Sequence, residues 1–280
     1  MRRIFFVLLL LSSVVSCAHI EEQANYSDFE RESMSQLKTD LLEYNANFSC
    51  DAQTKSWSSF WKRLKITVAA DLSGAFWGAI LLPAFPEISV LAGVLSSIYS
   101  ATYPNDYYIP NQSYWGVYDS FVGMTVIDSV GVVHNNIICQ LYSESPTQFP
   151  NYTIAQLYNK VAGYVADQYD VNLSTVNRVH IQQIAMKAQE VVAESDDVEG
   201  LISGLQRYTN GYDEEIDIIH TYLSGVYHIG DNLQLQREYT RGFIENIKNS
   251  TVNAVIKNRL VSAVSVGGHS MVLWQESSVQ

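Results

Sequence analysis

Apolar residues recur along most of the chain at intervals of three and four, the spacing that lays a stripe along one side of a helix. Phe29, Met34, Leu37, Leu41 and Tyr44 form the first such stripe, with charges between them, and Ser27 stands where an N-cap belongs. Residues 56–82 and 87–101 form two apolar segments separated by Pro83-Ala84-Phe85-Pro86. Proline is expelled from helix interiors, so the pair reads as a helical hairpin. A further apolar helix is expected over 116–142, ended by Ser145-Pro146 and Pro150. Thr153, Ser174, Asp196-Asp197 and Asp213 then open helices over 154–169, 175–194, 198–208 and 214–228. Two more, from Asn232 to Lys248 and from Thr251 to about Trp274, complete the set. No run alternates apolar with polar residues between tight turns, so a sheet is not required.

The pattern predicts an all-α fold, a compact multi-helix bundle around the central apolar hairpin. Short connections between the later helices favour antiparallel neighbours in a single domain over 27–280. A division, if there were one, belongs at 143–152. Within 66–82, Ala70, Gly74 and Gly78 fall four apart on one helix face and invite close approach by another helix. In membranes the same spacing is a small-xxx-small association pattern. The hairpin therefore has two readings: the core of the bundle, or a membrane-inserting element stored inside it. Asp71, Glu87, the two prolines and a second arm of about 14 residues, against the roughly 17–25 of a normal span, favour the core.

At 47% hydrophobic and 16% charged, the chain of 280 residues can build a substantial core, and its polar surface leans on uncharged side chains, the 18 tyrosines among them. Seventeen basic against 29 acidic residues give a net charge of -12. That balance disfavours nucleic acid and anionic lipid surfaces as partners, since both require clustered Lys and Arg.

The N-terminus carries the most specific signal. Arg2 and Arg3 precede an apolar stretch from Ile4 to Leu11, too short for a permanent span, and small residues lead to Val14-Val15-Ser16-Cys17. This resembles the lipobox of bacterial lipoproteins. The resemblance implies a signal peptide over 1–16, cleavage after Ser16, a diacylglycerol thioether on Cys17 and a lipidated tether over 17–26. Ala18 in place of aspartate points to an outer-membrane address. Glu21-Glu22 is similar to the short acidic signal of surface-exported Bacteroidetes lipoproteins, and two glutamates in a helical tether explain it equally well. The expected partner through Cys17 is thus the membrane; a protein or small-molecule partner is not specified. Cys50 and Cys139 could pair in an oxidising compartment, or Cys139, within Ile137-Ile138-Cys139-Gln140-Leu141, is a buried free thiol.

Candidate chemistry concentrates in a few places. Asp128, His134 and Asn135 interrupt the apolar helix 116–142. They either tie that helix to its neighbours or line a pocket, because buried polar groups must be hydrogen-bonded, and Asp71 is the candidate partner for a buried carboxylate–imidazole pair. Asp213, Asp217 and His220 fall at i, i+4 and i+7, but Glu190 and His180 do not reproduce the Glu-x-x-His spacing of four-helix metal sites. An acidic first turn favoured by the helix dipole explains them more simply. No HExxH, CxxC, G-x-S-x-G, phosphate-binding or dinucleotide glycine pattern occurs, and no metal or cofactor is expected. These features favour a binding or structural protein over a membrane-active effector, and both over a hydrolytic or metal-dependent enzyme. The polar stretch 102–115, with Tyr103, Tyr107, Tyr108, Tyr114 and Trp115, is the candidate recognition loop, since such rings give large contact area at low entropic cost.

Three pieces carry a wider resemblance. They are Ala70-Asp71 with Gly74 and Gly78; Val130-Gly131-Val132-Val133-His134-Asn135; and Tyr239 to Trp274 with Ser250, Arg259, Ser265 and Ser270. Together they are similar to uncharacterised helical lipoproteins of Bacteroidales. The resemblance implies a helical fold and brings no activity with it.

Overall fold

The computed structural model describes residues 26–48, 68–82, 85–102, 110, 129–173, 176–230 and 232–274. Among these residues the chain is all-α. Ten helices follow one another: α1 (Asp28–Asn47), α2 (Ala70–Leu81), α3 (Pro86–Thr102), α4 (Val130–Glu144), α5 (Ile154–Tyr169), α6 (Arg178–Glu194), α7 (Val198–Tyr208), α8 (Asp213–Ile229), α9 (Leu233–Asn249) and α10 (Ala254–Leu273). A short 3-10 turn, Phe149–Asn151, joins α4 to α5.

Most starts are written in the sequence as caps. Ser27 and Thr153 form reciprocal capping boxes with Glu30 and Gln156, which satisfies amide groups that the first turn leaves open. Asp197 and Asn232 cap α7 and α9. Four expected starts shift. Helix α6 begins at Arg178 rather than 175, because the Asn177 side chain accepts from the Val179 and His180 amides at 3.1 and 3.3 Å. Helix α10 is capped by Asn253 rather than Thr251; Asn253 Oδ1 accepts from the Ile256 amide at 2.9 Å. Asp213 lies inside α8, whose first bond runs from the Ile216 amide to the Tyr212 carbonyl at 3.0 Å. Helix α3 also starts earlier and is longer than expected, since Pro86 occupies its first position, where a missing N–H costs nothing.

Helices α2 and α3 pair antiparallel at the centre. A Cβ added to Gly74 would fall 2.2 Å from Ser96 Oγ and 2.8 Å from the Ala92 carbonyl; one on Gly78 would meet the Ile88 carbonyl at 2.7 Å. The small face read from the sequence is thus the seam at which two backbones touch. Every residue of α2 from Ala70 to Ile80 is buried. Helices α4, α5, α6 and α10 pack on α3, α6 and α10 also pack on α2, and α4 packs on α10. Helix α1 lies outside, against α8 and α9, while α7 bridges α6 and α8. Of the expected longer helices, 56–67 and 116–128 lie outside the described residues.

Candidate functional site

A group of polar side chains interrupts the apolar centre where α2, α3, α4 and α10 converge. Asp71, in the first turn of α2, and His134, in α4, are both 0% exposed. Asp71 Oδ2 lies 3.6 Å from His134 Nε2, beyond hydrogen-bond distance. The same oxygen accepts from Ser270 Oγ and, at 3.4 Å, from Trp274 Nε1; that indole N–H also reaches Ser97 Oγ at 3.1 Å. Ser270 and Trp274 come from the end of α10 and Ser97 from α3, so a single carboxyl group holds the ends of three helices together.

A second set of bonds fixes the imidazole. Asn135 Nδ2 donates to the His269 carbonyl at 2.9 Å, which turns Asn135 Oδ1 towards His134 Nδ1, also at 2.9 Å. By that network Nδ1 carries a proton. Gly131 permits this docking of α4 on α10: a Cβ there would lie 2.3 Å from the Ser265 carbonyl, and its amide donates to Ser265 Oγ at 3.2 Å.

The electrostatics follow from burial. Removal from water pushes the Asp71 carboxyl up to about 8, against the opposing hydrogen bonds from Ser270, Ser97 and Trp274. It pushes the His134 imidazole down to about 4, outweighing Asn135 Oδ1 and the Gly93 carbonyl, which favour an imidazolium. Near neutral pH the site therefore holds a carboxylic acid beside a neutral ring. Asp71 Oδ1 and His134 Nε2 are left fully buried with no hydrogen bond of good geometry. Chemically the pair can hold one proton between two acceptors. Ser270 bonds to the carboxyl rather than to the imidazole, so the group lacks the order of a nucleophile–base–acid relay.

The remaining candidates are placed as follows. Asn135 belongs to this group. Asp128 lies outside the described residues, as do Cys17, Cys50 and the loop residues Tyr103, Tyr107, Tyr108, Tyr114 and Trp115. Cys139 is a free, buried thiol pushed up to about 11 by desolvation. Asp217 and His220 do not converge: Asp217 Oδ2 takes Lys38 Nζ at 2.6 Å, while His220 Nε2 meets Glu199 Oε1 at 2.8 Å. Glu190 accepts from Tyr208 Oη at 3.1 Å. Among the described residues no three His, Cys, Asp or Glu side chains are gathered as a metal would need.

Sequence reasoning passed over one buried charge site. Glu215, fully buried, takes Arg259 Nε at 2.9 Å through Oε2 and Tyr26 Oη at 2.5 Å through Oε1. Arg259 also lies over the Tyr212 ring, 5.2 Å from its centre. The pair hid in the acidic opening Asp213-Glu214-Glu215, which a helix dipole explains without any partner. The available signal was Arg259, a charge directly ahead of the apolar run from Leu260 onward.

Comparison with known protein families, with curated proteins and with solved structures finds no match.

Proposed function

We propose that the chain is a lipid-anchored protein of the bacterial cell envelope, held in the outer membrane through Cys17 and acting as a non-catalytic binding or structural component. The observation that carries this reading is Val14-Val15-Ser16-Cys17 directly behind the apolar segment from Ile4 to Leu11. Acyl chains at about 0.8 kcal/mol per buried CH2 anchor such a protein firmly once two or more are present.

The non-catalytic half of the reading draws on the site. Asp71 and His134 are shut away from solvent, and each polar contact they make runs to another helix or to a neighbouring residue. A general acid or base has to reach the proton that it moves. Here the carboxyl and imidazole have the surroundings of ties between helices. The tyrosine-rich segment 102–115 is the proposed recognition surface.

The test is Cys17→Ala in the native host. The substitution is expected to abolish acyl labelling and to release the protein from the membrane fraction. Undiminished labelling and membrane retention would refute the lipoprotein reading. Binding partners recovered with the parent and lost when Tyr107 and Tyr108 are replaced by Ser would support a recognition role for the loop.

A further inference from the structure

We propose that the pole of the bundle formed by the first turns of α1 and α10 rests on the lipid surface, with Phe29 and Val255 entering the headgroup region; this rests on the lipidation of Cys17 put forward above. Four observations converge there. The nine peptide steps from Cys17 to Tyr26 extend at most about 30 Å, so whatever face carries Tyr26 stays near the membrane. Tyr26 is no frayed end: its side chain is buried, its hydroxyl is bound to Glu215, and its carbonyl accepts from Arg31 Nε at 3.4 Å. Because Arg259 of α10 grips the same Glu215 carboxylate, the point at which the tether leaves is fixed to the core.

The start of α10 is tied to this point as well, since Asn253 Nδ2 donates to Glu30 Oε1. Phe29 is the residue before Glu30 and is 67% exposed; Val255, two residues after Asn253, is 43% exposed. A single exposed apolar side chain is ordinary on any surface. Two on adjoining first turns, at the place where a lipid tether departs, suit a surface that takes up apolar tips without a deep span. Charges around them are mixed, with Asp28 and Glu32 beside Arg31 and Lys257. That mixture, on a protein of net charge -12, selects a zwitterionic lipid face rather than an anionic one.

A helix outside this pole provides the control. Helix α6 packs on α2, α3, α5 and α7, whereas α1 packs on α8 and α9, and α6 carries the exposed Met186. The experiment uses the full chain, processed in its host, with Cys50→Ser and one of Phe29→Cys, Val255→Cys or Met186→Cys. Each variant is labelled with an environment-sensitive fluorophore and reconstituted into phosphatidylcholine–phosphatidylethanolamine vesicles containing a headgroup quencher. Quenching at positions 29 and 255 is expected to exceed that at 186 several-fold, with a blue shift confined to the first two. Equal quenching at all three, or the strongest at 186, overturns the orientation while leaving the anchor intact, provided that the protein floats with the vesicles and Cys17 carries lipid by mass spectrometry. Failure to float, with an unmodified Cys17, overturns the anchor and the orientation together.

Discussion

Glu215 and Arg259, 44 residues apart in the chain, meet in a fork, both carboxylate oxygens facing the guanidinium and both side chains buried. The guanidinium stays charged at any ordinary pH and the pair is fully compensated, with Tyr26 as a third member.

Breaking such a pair leaves one buried charge unpaired, so Glu215→Gln is expected to cost about 3–5 kcal/mol of stability. Replacing both partners with apolar residues of similar size, Glu215→Leu with Arg259→Met, should recover most of that loss. Urea denaturation of the single and double variants measures the difference. A double variant as unstable as the sum of its two single changes would show that the pair is not a self-contained unit.

Asp71 and His134 impose opposite pH dependences. The carboxyl is raised from 3.8 to about 8 in the folded protein. Its contribution is therefore fully present below pH 3.8 and is lost as pH rises towards 8, where the unfolded chain has already released its proton. The imidazole is lowered from 6.5 to about 4. Its contribution is complete above 6.5 and is lost as pH falls towards 4. The two slopes oppose each other between about 4 and 6.5, so the Asp71 slope stands alone between about 6.5 and 8. There the parent should lose ~1.4 kcal/mol per pH unit relative to Asp71→Asn. Denaturation of both proteins at pH 6.5 and pH 8 checks this, and parallel curves would contradict a protonated Asp71. Between about 6.5 and 4, where the two slopes cancel in the parent, His134→Gln should gain stability as the pH falls.

Several of these features were legible in the sequence because they depend on spacing within one helix. Ala70, Gly74 and Gly78 share a face by arithmetic alone, and the structure seats α3 against it. The polar residues of α4 stood out against Val130, Val133, Ile137 and Ile138, which made their burial foreseeable. What the sequence concealed depends on contacts across the bundle. Nothing local to Glu215 distinguishes it from Asp213 and Glu214, and its inward turn is decided by Arg259. Starts slipped where two capping residues lie within a turn of each other, as Ser174 and Asn177 do, because either supplies the oxygen that the first amides need.

Two glycines should respond to alanine with opposite signs. Gly74→Ala puts a methyl group 2.8 Å from the Ala92 carbonyl, which belongs to a backbone that cannot swing aside. The α2–α3 seam must open, at a cost of roughly 1–3 kcal/mol. Gly163, inside α5, has nothing within 4 Å of an added Cβ. There alanine relieves the entropy cost of a helical glycine and should stabilise by about 0.5–1 kcal/mol. Thermal melts of the two variants decide the matter; a stabilising Gly74→Ala would mean that the two helices do not meet as closely as described.

The last expectation separates a core hairpin from one that enters membranes. Helices α2 and α3 contain 12 and 17 residues, lengths of about 18 and 25 Å at 1.5 Å per residue against a hydrocarbon core of about 30 Å. Among the described residues no helix is long and apolar enough to cross a membrane. Insertion would also strip Asp71 of Ser270 and Trp274, and Ser97 of its indole partner, leaving polar groups in lipid without replacement. The hairpin gains nothing there that α4, α6 and α10 do not already provide. The Cys17→Ala protein, purified without its anchor, is therefore expected to leave dye-loaded phosphatidylcholine vesicles intact at neutral pH while its far-ultraviolet circular dichroism remains helical. Rapid dye release by the folded protein, abolished by a disulfide engineered to lock α2 to α10, would instead establish the hairpin as the membrane-active element.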